Sequence, residues 1–292
     1  MIGKISMVTG ATSGIGEATA HALAERGSSV IVVGRSQKKC LDTVKKIKRN
    51  TCNESVEFML ADLSSQKDIR QLAEQFKQSY QRLDVLINNA GAKFTSRLQT
   101  VDGCEMTFAL NHLGYFLLTN LLLEELKASE QGRIINVSSG SHGGCSGINF
   151  DDLQGRDGYI GKVAYAQSKL ANLLFTYELA RRLKDTGVTV NALEPGGVIT
   201  NFCKNNGWVS WSKHVVAHIL ARNLIGPAKG AKTSIYLATS PDVKGVSGKY
   251  FSKQKAVRSS NASYDEEAAI RLWDISLKLT GLSQSHNEKQ TI

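Results

Sequence analysis

Proline, paired cysteines and long apolar runs are scarce in this sequence of 292 residues. Three prolines leave no proline-rich linker, although the length alone allows one or two domains. The five cysteines are scattered and lack metal-ligand spacing, which favours reduced thiols in an intracellular protein and predicts no metal site. No run of membrane-spanning length is free of charge, and the chain opens on a short strand rather than a signal peptide. We therefore expect a cytoplasmic protein without an integral membrane segment; peripheral contact with a membrane is left open.

A formal charge of +10 brings nucleic acid, anionic membranes and anionic small molecules into consideration as partners. The charges are mixed along helical stretches and no nucleic-acid motif accompanies them, so nucleic acid is not expected. One basic cluster follows Arg35 directly; it comprises Lys38, Lys39, Lys45, Lys46, Lys48 and Arg49. A solvated helix face accounts for most of its members. A positive field near a phosphate is the alternative for Arg35 and for Lys38 or Lys39.

Short apolar runs alternate with longer amphipathic stretches. Runs made almost entirely of Val, Ile and Leu are typical of parallel strands covered on both faces. They lie at Ile5–Thr9, Val30–Val33, Val56–Leu60, Val85–Ile87, Arg133–Val137 and Val188–Leu193, and a last strand-like piece follows at Gly248–Phe251. This alternation predicts the α/β class, with a Rossmann-type doubly wound parallel sheet of about seven strands and helices on both faces. We expect one domain over residues 1–282 with a lid at about 200–227, and a disordered tail over 283–292.

A glycine-rich turn joins the first strand to the first helix and reads Gly10-Ala-Thr12-Ser13-Gly14-Ile15-Gly16. Glycines allow a tight turn and let a pyrophosphate approach the backbone, and the helix beyond offers free N–H groups and the positive end of its dipole. Such a turn alone is a weak signal. Its place between a first strand and a first helix predicts a dinucleotide site.

The second strand ends in Gly34-Arg35-Ser36. An acidic residue here would hold the ribose 2′-hydroxyl and repel a 2′-phosphate, and none is present. The planar guanidinium of Arg35 suits that phosphate, the alternative being a surface arginine at a strand end. The expected cofactor is therefore NADP(H).

Tyr165 and Lys169 lie one helical turn apart in the helical run Val163–Leu183, so they share a face. A tyrosine with its ordinary pKa of about 10 is a poor base, and a close positive charge stabilises its phenolate. Tyr165 could then protonate a carbonyl oxygen or deprotonate an alcohol. An isolated Tyr/Lys pair at this spacing is more often a chance pair on the surface. Other polar residues along the chain therefore decide whether Tyr165 and Lys169 form a catalytic site.

Polar residues precede that pair. Ser138 and Ser139 end the fifth strand, where doubly wound sheets bind ligands and a hydroxyl can donate to a substrate oxygen. Ordinary turn chemistry is the alternative. Asn111 lies within a helical stretch and predicts a bent helix or a bound water, because a buried amide needs partners there. The neighbouring His112 is interpreted as structural.

In order along the chain, these residues resemble the short-chain dehydrogenase/reductase family over almost the whole sequence. The hallmarks are Thr9-Gly10-x3-Gly14-x-Gly16, Asp62-Leu63, Asn88-Asn89-Ala90-Gly91, Asn111, Ser139, Tyr165-x3-Lys169 and Pro195-Gly196. The resemblance implies that Ser139 orients the substrate oxygen, Tyr165 is the acid/base and Lys169 binds the nicotinamide ribose and lowers the pKa of Tyr165. Asn111 would hold a water in a proton relay.

The resemblance also implies a cofactor site and a homo-oligomer formed through the helices that carry Asn111 and Tyr165. Besides Tyr165 and Lys169, the implied cofactor-binding residues are Gly10, Thr12, Ser13, Gly14, Ile15, Gly16, Arg35, Ser36, Asp62, Leu63, Asn89, Ala90, Gly91, Pro195, Gly196, Val198 and Thr200.

A narrower resemblance, to the retinol dehydrogenase branch, rests on the long interval between Ser139 and Tyr165 and on the segments 111–119, 133–139, 168–172 and 245–251. Because no apolar run of membrane-spanning length precedes the first strand, we expect the protein to differ from the many animal members that carry an N-terminal membrane anchor. Apolar residues recur at helical spacing after the Pro-Gly motif, with Phe202, Trp208 and Trp211 as candidate substrate contacts. A lid facing a hydrophobic substrate and a helix docked on the core are equally open interpretations.

Three hypotheses for function compete. The first is an active NADP(H)-dependent oxidoreductase that interconverts an alcohol and an aldehyde or ketone on a bulky apolar, retinol-like substrate. A ketoreductase of specialised or steroid-like metabolism is its alternative within the same chemistry. The second is a cofactor-sensing binding protein, which would be expected to have lost the tyrosine or the lysine, and the third is an interaction scaffold. The retained Tyr165 and Lys169 favour the enzyme.

Overall fold

The computed structural model describes residues 1–198 and 225–282. They form one eight-stranded sheet in the order β3-β2-β1-β4-β5-β6-β7-β8. The strands are β1 Ile5–Thr9, β2 Ser29–Gly34, β3 Val56–Leu60, β4 Val85–Asn88, β5 Arg133–Val137, β6 Thr189–Glu194, β7 Lys249–Ser252 and β8 Lys255–Val257. All neighbours from β3 to β7 are parallel. The doubly wound sheet predicted from the apolar runs is confirmed.

The eighth strand is a difference from the prediction of about seven. It pairs antiparallel with β7 through a hairpin whose two turn residues, Lys253 and Gln254, have φ of +49° and +65°. Two consecutive residues with positive φ define the tight turn that suits the twist of paired strands, and Asn-Gly is its usual sequence. Because Lys-Gln lacks that signal, the sequence does not predict this strand.

Helices cover both faces of the sheet. They are α1 Gly14–Glu25, α2 Gln37–Thr51, α3 Gln66–Ser79, α4 Met106–Phe108, α5 Gly114–Leu121, α6 Leu123–Lys127, α7 Gly161–Arg182, α8 Pro227–Thr239 and α9 Glu266–Thr280. Alternate strand residues point to opposite faces. Val8 and Val32 therefore pack with α1, α2 and α8, whereas Met7 and Ile31 pack with α3, α5 and α7. This layering places the carboxyl ends of the parallel strands, and the loops that follow them, along one edge.

Helix α9 lies on the outer side of α7. Leu272 and Ala269 of α9 join Leu170 and Leu174 of α7 in one buried cluster, and both leucines of α7 are fully buried. The segment between Cys145 and Leu153 packs against the same cluster. The helix that carries Tyr165 is therefore covered on both sides by its own chain.

Between α4 and α5 the helix widens into a π-helical turn, Ala109–Leu113, which contains Asn111 and His112. Such turns insert one extra residue, bend a helix and are frequent at functional sites. Of the two alternatives predicted from Asn111, a bent helix or a bound water, the π-helical turn favours the first.

His112 is completely buried among Phe108, Phe116 and Phe175, with its Nε2 2.8 Å from the hydroxyl of Ser276. Burial lowers the pKa of His112 from 6.5 to about 3, and the neighbouring Asn172 amide offsets only part of that. The ring therefore stays neutral in the folded protein, which agrees with a structural role.

We expect His112 to destabilise the fold in acid. Its folded pKa lies below its unfolded value, so the unfolded chain binds more protons and stability is lost as the pH falls from 6.5 towards 3. Urea unfolding of wild type and His112→Phe at pH 7 and pH 4.5 measures this loss of stability. The control is His21→Gln, which replaces a partly exposed histidine. An equal acid loss in wild type and His112→Phe would contradict the assignment.

Candidate active site

The turn after β1 has the backbone that the glycine pattern predicts. Gly10 and Gly14 have φ of +63° and +60°, a conformation that favours glycine. A side chain at Gly16 would overlap the carbonyl of Gly10 and the amide of Asn89. The N-cap Ser13 makes no side-chain cap bond to α1. This turn therefore brings bare backbone to a helix N-terminus, an arrangement suited to a phosphate.

Thr9 ties this turn to the end of β4. The Oγ1 of Thr9 accepts from the backbone N–H groups of Asn89 and Ala90 at 2.8 and 3.0 Å and donates to the carbonyl of Ile87. The side-chain amide of Asn89 donates to the carbonyl of Thr9 at 2.8 Å. Asn89 thus braces the phosphate turn. In the sequence, the position of Thr9 at the start of the Thr-Gly-x3-Gly-x-Gly pattern is the feature from which this bracing role could be inferred.

At the end of β2, Gly34 leaves no room for an acidic side chain. A Cβ there would lie 2.7 Å from Cγ2 of Thr12 and 2.9 Å from Sγ of Cys40. The side chain of Arg35 is 77% exposed and its Nη1 lies 3.9 Å from Oδ2 of Asp62. Ser36 caps α2, accepting from the N–H of Lys39. An exposed guanidinium, a hydroxyl and a helix N-terminus therefore meet at this strand end.

Both ends of the Asn111 amide bond to the protein. Its Oδ1 accepts from the N–H of Ala92 at 2.9 Å, and its Nδ2 donates to the carbonyl of Ala92 and to Oγ of Ser168, both at 2.9 Å. Ser168 lies between Tyr165 and Lys169 on α7. Asn111 therefore fastens the loop after β4 to the helix of the predicted acid/base, which gives its side chain the partners that a buried amide requires.

Lys169 lies at the centre of the site. Its Nζ donates to the carbonyl of Val137 at 2.9 Å and lies 5.8 Å from the ring centroid of Tyr165. A Cβ on Gly91 would stand 3.5 Å from Nζ and 3.0 Å from Oδ1 of Asn111, so the absence of a side chain at Gly91 keeps this space open. Complete burial lowers the pKa of Lys169 from 10.5 to about 7.

The buried phenol of Tyr115 is a neighbour that sequence reasoning missed. Its ring centroid lies 5.6 Å from Nζ of Lys169, and burial raises its pKa well above the ordinary value. Tyr115 stays protonated, so it adds no negative charge beside Lys169. Four residues after Asn111, in a run of apolar residues, it gave no signal beyond that of a core aromatic.

The two serines at the end of β5 differ in their surroundings. Ser138 is buried and donates its hydroxyl to the carbonyl of Lys169 at 2.8 Å. Ser139 is half-buried and begins the 3₁₀ turn Gly140–Gly144, where its Oγ accepts from the N–H of Ser141 at 3.2 Å. Accepting that bond leaves the hydroxyl proton of Ser139 available to donate, which suits the role assigned to the second serine.

The remaining predicted cofactor residues lie around the same edge or outside the described residues. Leu63 is buried beside Gly114, Ile15 lies near Gly230 of α8, and Gly196 has φ of +80° after Pro195. Val198 forms a parallel bridge with Ile225. The cofactor candidate Thr200, the substrate candidates Phe202, Trp208 and Trp211, most of the predicted lid and the tail 283–292 lie outside the described residues.

Known proteins resemble this chain closely. The model of the short chain dehydrogenase family matches residues 4–208. Retinol dehydrogenase 13 of Homo sapiens is 44% identical over 99% of this chain and 88% of its own length. Polyprenol dehydrogenase of Homo sapiens is 42% identical over 96% and 86%. A solved Pseudomonas aeruginosa RhlG/NADP active-site complex superposes with a TM-score of 0.69 at 27% identity, covering 86% of this chain and 94% of that chain.

The chain belongs to the short-chain dehydrogenase family of oxidoreductases. Within that family it lies in the retinol dehydrogenase-like branch. Every helix of residues 1–198 and 225–282 is too short or too polar to cross a membrane. Across these ranges, His, Cys, Asp and Glu side chains form no group of three that could hold a metal ion.

Proposed function

We propose that this protein interconverts an alcohol and an aldehyde or ketone on a bulky apolar substrate, with NADP(H) as cofactor and Tyr165 as acid/base. The observation that carries the proposal is the fully buried Lys169 beside Tyr165. A buried lysine is costly to keep without a charge partner, and such groups concentrate at functional sites.

The residues present fit a dinucleotide. The bare backbone of the Gly10–Gly16 turn would hold the pyrophosphate at the N-terminus of α1. Gly91 and Lys169 would lie along the nicotinamide ribose, where Gly91 keeps space open next to Nζ. When bound, the nicotinamide supplies or accepts the hydride.

The chain's own residues would manage the proton. In the direction of reduction, the phenol of Tyr165 gives its proton to the carbonyl oxygen, and the hydroxyl of Ser139 donates to that same oxygen and holds it in place. The ammonium of Lys169 stabilises the phenolate that remains. Asn111 acts at a distance, since its amide fixes Ala92 and Ser168 on either side of the site.

The preference for NADP(H) over NAD(H) rests on the end of β2. Arg35 offers a planar, exposed guanidinium, Ser36 a hydroxyl and α2 its N-terminus, whereas an acid at Gly34 would collide with Thr12 and Cys40. The solved complex with NADP among similar structures supports the same choice.

Replacing Arg35 is expected to lower the efficiency of the enzyme with NADPH but not with NADH. Charge-assisted hydrogen bonds to phosphate contribute about 1.5–3 kcal/mol, so Arg35→Ala should lower kcat/KM with NADPH by roughly ten- to hundredfold and leave NADH little changed. Arg49→Ala, an exposed arginine at the far end of α2, is the matched control. A wild-type enzyme that uses NADH as well as NADPH would refute the cofactor assignment.

The names of two relatives support the proposed substrate class. One is named for retinol and another for polyprenol, both long apolar alcohols. We infer an apolar carbonyl or alcohol as substrate here. NADPH oxidation measured across aldehydes and ketones of graded size and polarity tests this, with retinal and a short polar ketone as the two ends of the series. Faster turnover of small polar ketones would favour a ketoreductase instead.

Self-association through the helices of Asn111 and Tyr165 stays a prediction, and the structure limits how it could occur. The outward leucines of α7, Leu170 and Leu174, are already buried under α9. Any subunit contact would therefore have to use another surface or displace α9.

A further inference from the structure

One carbonyl group next to the site is held twice by a single residue. The backbone N–H and the ring Nδ1 of His142 lie 3.1 and 2.7 Å from the carbonyl oxygen of Ser139. The ring is only 6% exposed. It is the one large side chain in the glycine-rich turn Gly140–Gly144, whose sequence is Gly-Ser-His-Gly-Gly. Because glycines give a turn great backbone freedom, such a turn needs an anchor to hold one conformation.

The other ring nitrogen fixes the tautomer. Nε2 of His142 accepts from the backbone N–H of Ser260 at 3.1 Å. A backbone N–H can only donate, so Nε2 carries the lone pair and Nδ1 carries the proton that is donated to Ser139. The ring packs edge-on against Tyr250, with centroids 5.1 Å apart. His142 is therefore a neutral bridge with a defined donor end and a defined acceptor end.

The far end of this bridge is anchored on α7. The hydroxyl of Ser263 donates to the carbonyl of Ser260 at 2.6 Å and lies 2.6 Å from the hydroxyl of Ser259. Ser259 in turn lies 2.7 Å from the phenol of Tyr177, which belongs to α7. Tyr177 is twelve residues from Tyr165, about 18 Å along the same helix. A continuous set of hydrogen bonds thus joins the carbonyl of Ser139 to the helix that carries the acid/base.

We propose that His142 is a positioning residue that sets the orientation of Ser139 relative to Tyr165, by donating Nδ1–H to the carbonyl of Ser139. Ser138 needs no such help, because its own hydroxyl bonds to the carbonyl of Lys169. Ser139 lies one residue further on, at the start of the glycine-rich turn. His142 acts only through Ser139 and touches no substrate. This inference rests on the proposed function, in which the hydroxyl of Ser139 holds the substrate oxygen.

Two amide variants separate the two ends of the bridge. In His142→Asn the amide nitrogen stands near the position of Nδ1 and can still donate to Ser139, but it cannot reach Ser260. In His142→Gln the amide oxygen stands near Nε2 and can accept from Ser260, but the bond to Ser139 is lost. Each variant gives up one hydrogen bond, so their thermal stabilities should be matched. His142→Phe keeps the packing on Tyr250 and removes both bonds.

The measurement is steady-state reduction of decanal with NADPH, together with the melting temperature of each variant. We expect His142→Gln and His142→Phe to lose roughly tenfold or more in kcat, because a small misplacement of a reacting group is costly, while KM for NADPH is unchanged. His142→Asn should keep most of the wild-type kcat. The proposal would be overturned if kcat of His142→Gln equalled or exceeded that of His142→Asn. It would also be overturned if the losses in kcat followed the melting temperatures of the variants alone.

Failure of the proposed function gives a different result. Wild-type protein that reduces neither decanal nor retinal with NADPH would overturn the function, and the role of His142 with it. If the wild type is active, Tyr165→Phe is inactive and the His142 variants are as active as the wild type, only the role of His142 is overturned.

Discussion

Tyr165→Phe is expected to reduce turnover by about 10²–10⁴-fold, the contribution typical of a general acid. The substitution removes one oxygen atom and leaves the ring in place next to Lys169. The carbonyl oxygen would then lack its proton donor, while the hydroxyl of Ser139 would still hold it. The phosphate turn and Gly91 do not depend on the phenol, so the dissociation constant for NADPH should change little.

Single-turnover reduction and NADPH fluorescence titration measure these two effects separately. Tyr80→Phe is the control, since it removes a phenol hydroxyl at the surface beside α3, where that hydroxyl donates to Glu57 at 2.7 Å. Near-normal turnover in Tyr165→Phe would reject Tyr165 as the acid/base. A loss of NADPH binding equal to the loss of turnover would assign it to cofactor binding instead.

Much of this site could be predicted because its signals are local. The turn from Gly10 to Gly16 needs glycine for reasons that lie in its own backbone, and two of its glycines do have positive φ. The spacing of Tyr165 and Lys169 fixes their shared helical face without reference to the rest of the chain. A bent helix was one of two alternatives predicted from Asn111, since a buried amide within a helix needs partners that a regular helix does not offer, and a π-helical turn is present there.

The parts that escaped prediction depend on contacts between distant segments. His142 and Ser260 are 118 residues apart, and nothing in either neighbourhood announces that one will accept a hydrogen bond from the other. The burial of Leu170 and Leu174 under α9 is likewise decided by tertiary packing, because an apolar helical face is the same in sequence whether it meets another chain or its own C-terminal helix. Local sequence patterns therefore predicted the residues of the site, whereas contacts between segments far apart in the chain could not be predicted.

Lys169→Met is expected to abolish most activity and yet raise stability. Methionine matches the unbranched shape of the lysine stem and removes an ammonium that is wholly buried. Without that charge the phenolate of Tyr165 loses its stabiliser, so kcat should fall at least as far as loss of a single charged partner implies, roughly 10²-fold or more. The lost bond from the ammonium to the carbonyl of Val137 costs about 1.5–3 kcal/mol, less than the several kcal/mol of desolvation that is relieved.

The stability gain should depend on pH in one direction. Burial places the folded pKa of Lys169 at about 7, below the 10.5 of the exposed side chain, so between these values the unfolded chain binds more protons. Wild-type stability therefore rises with pH from 7 to 10.5, and the full penalty persists below pH 7. Lys169→Met should exceed wild type by a few kcal/mol at pH 6, and the gap should close towards pH 10.

Urea unfolding of both proteins at pH 6, 7.5, 9 and 10 measures that gap, with exposed Lys244→Met as the control for adding a methionine. A gap that stays constant over this range would mean that burial does not lower the pKa of Lys169 in the folded protein. A destabilised Lys169→Met would show that the lysine is kept for the fold. Only an inactive and more stable variant fits a charge that is retained for chemistry at the expense of stability.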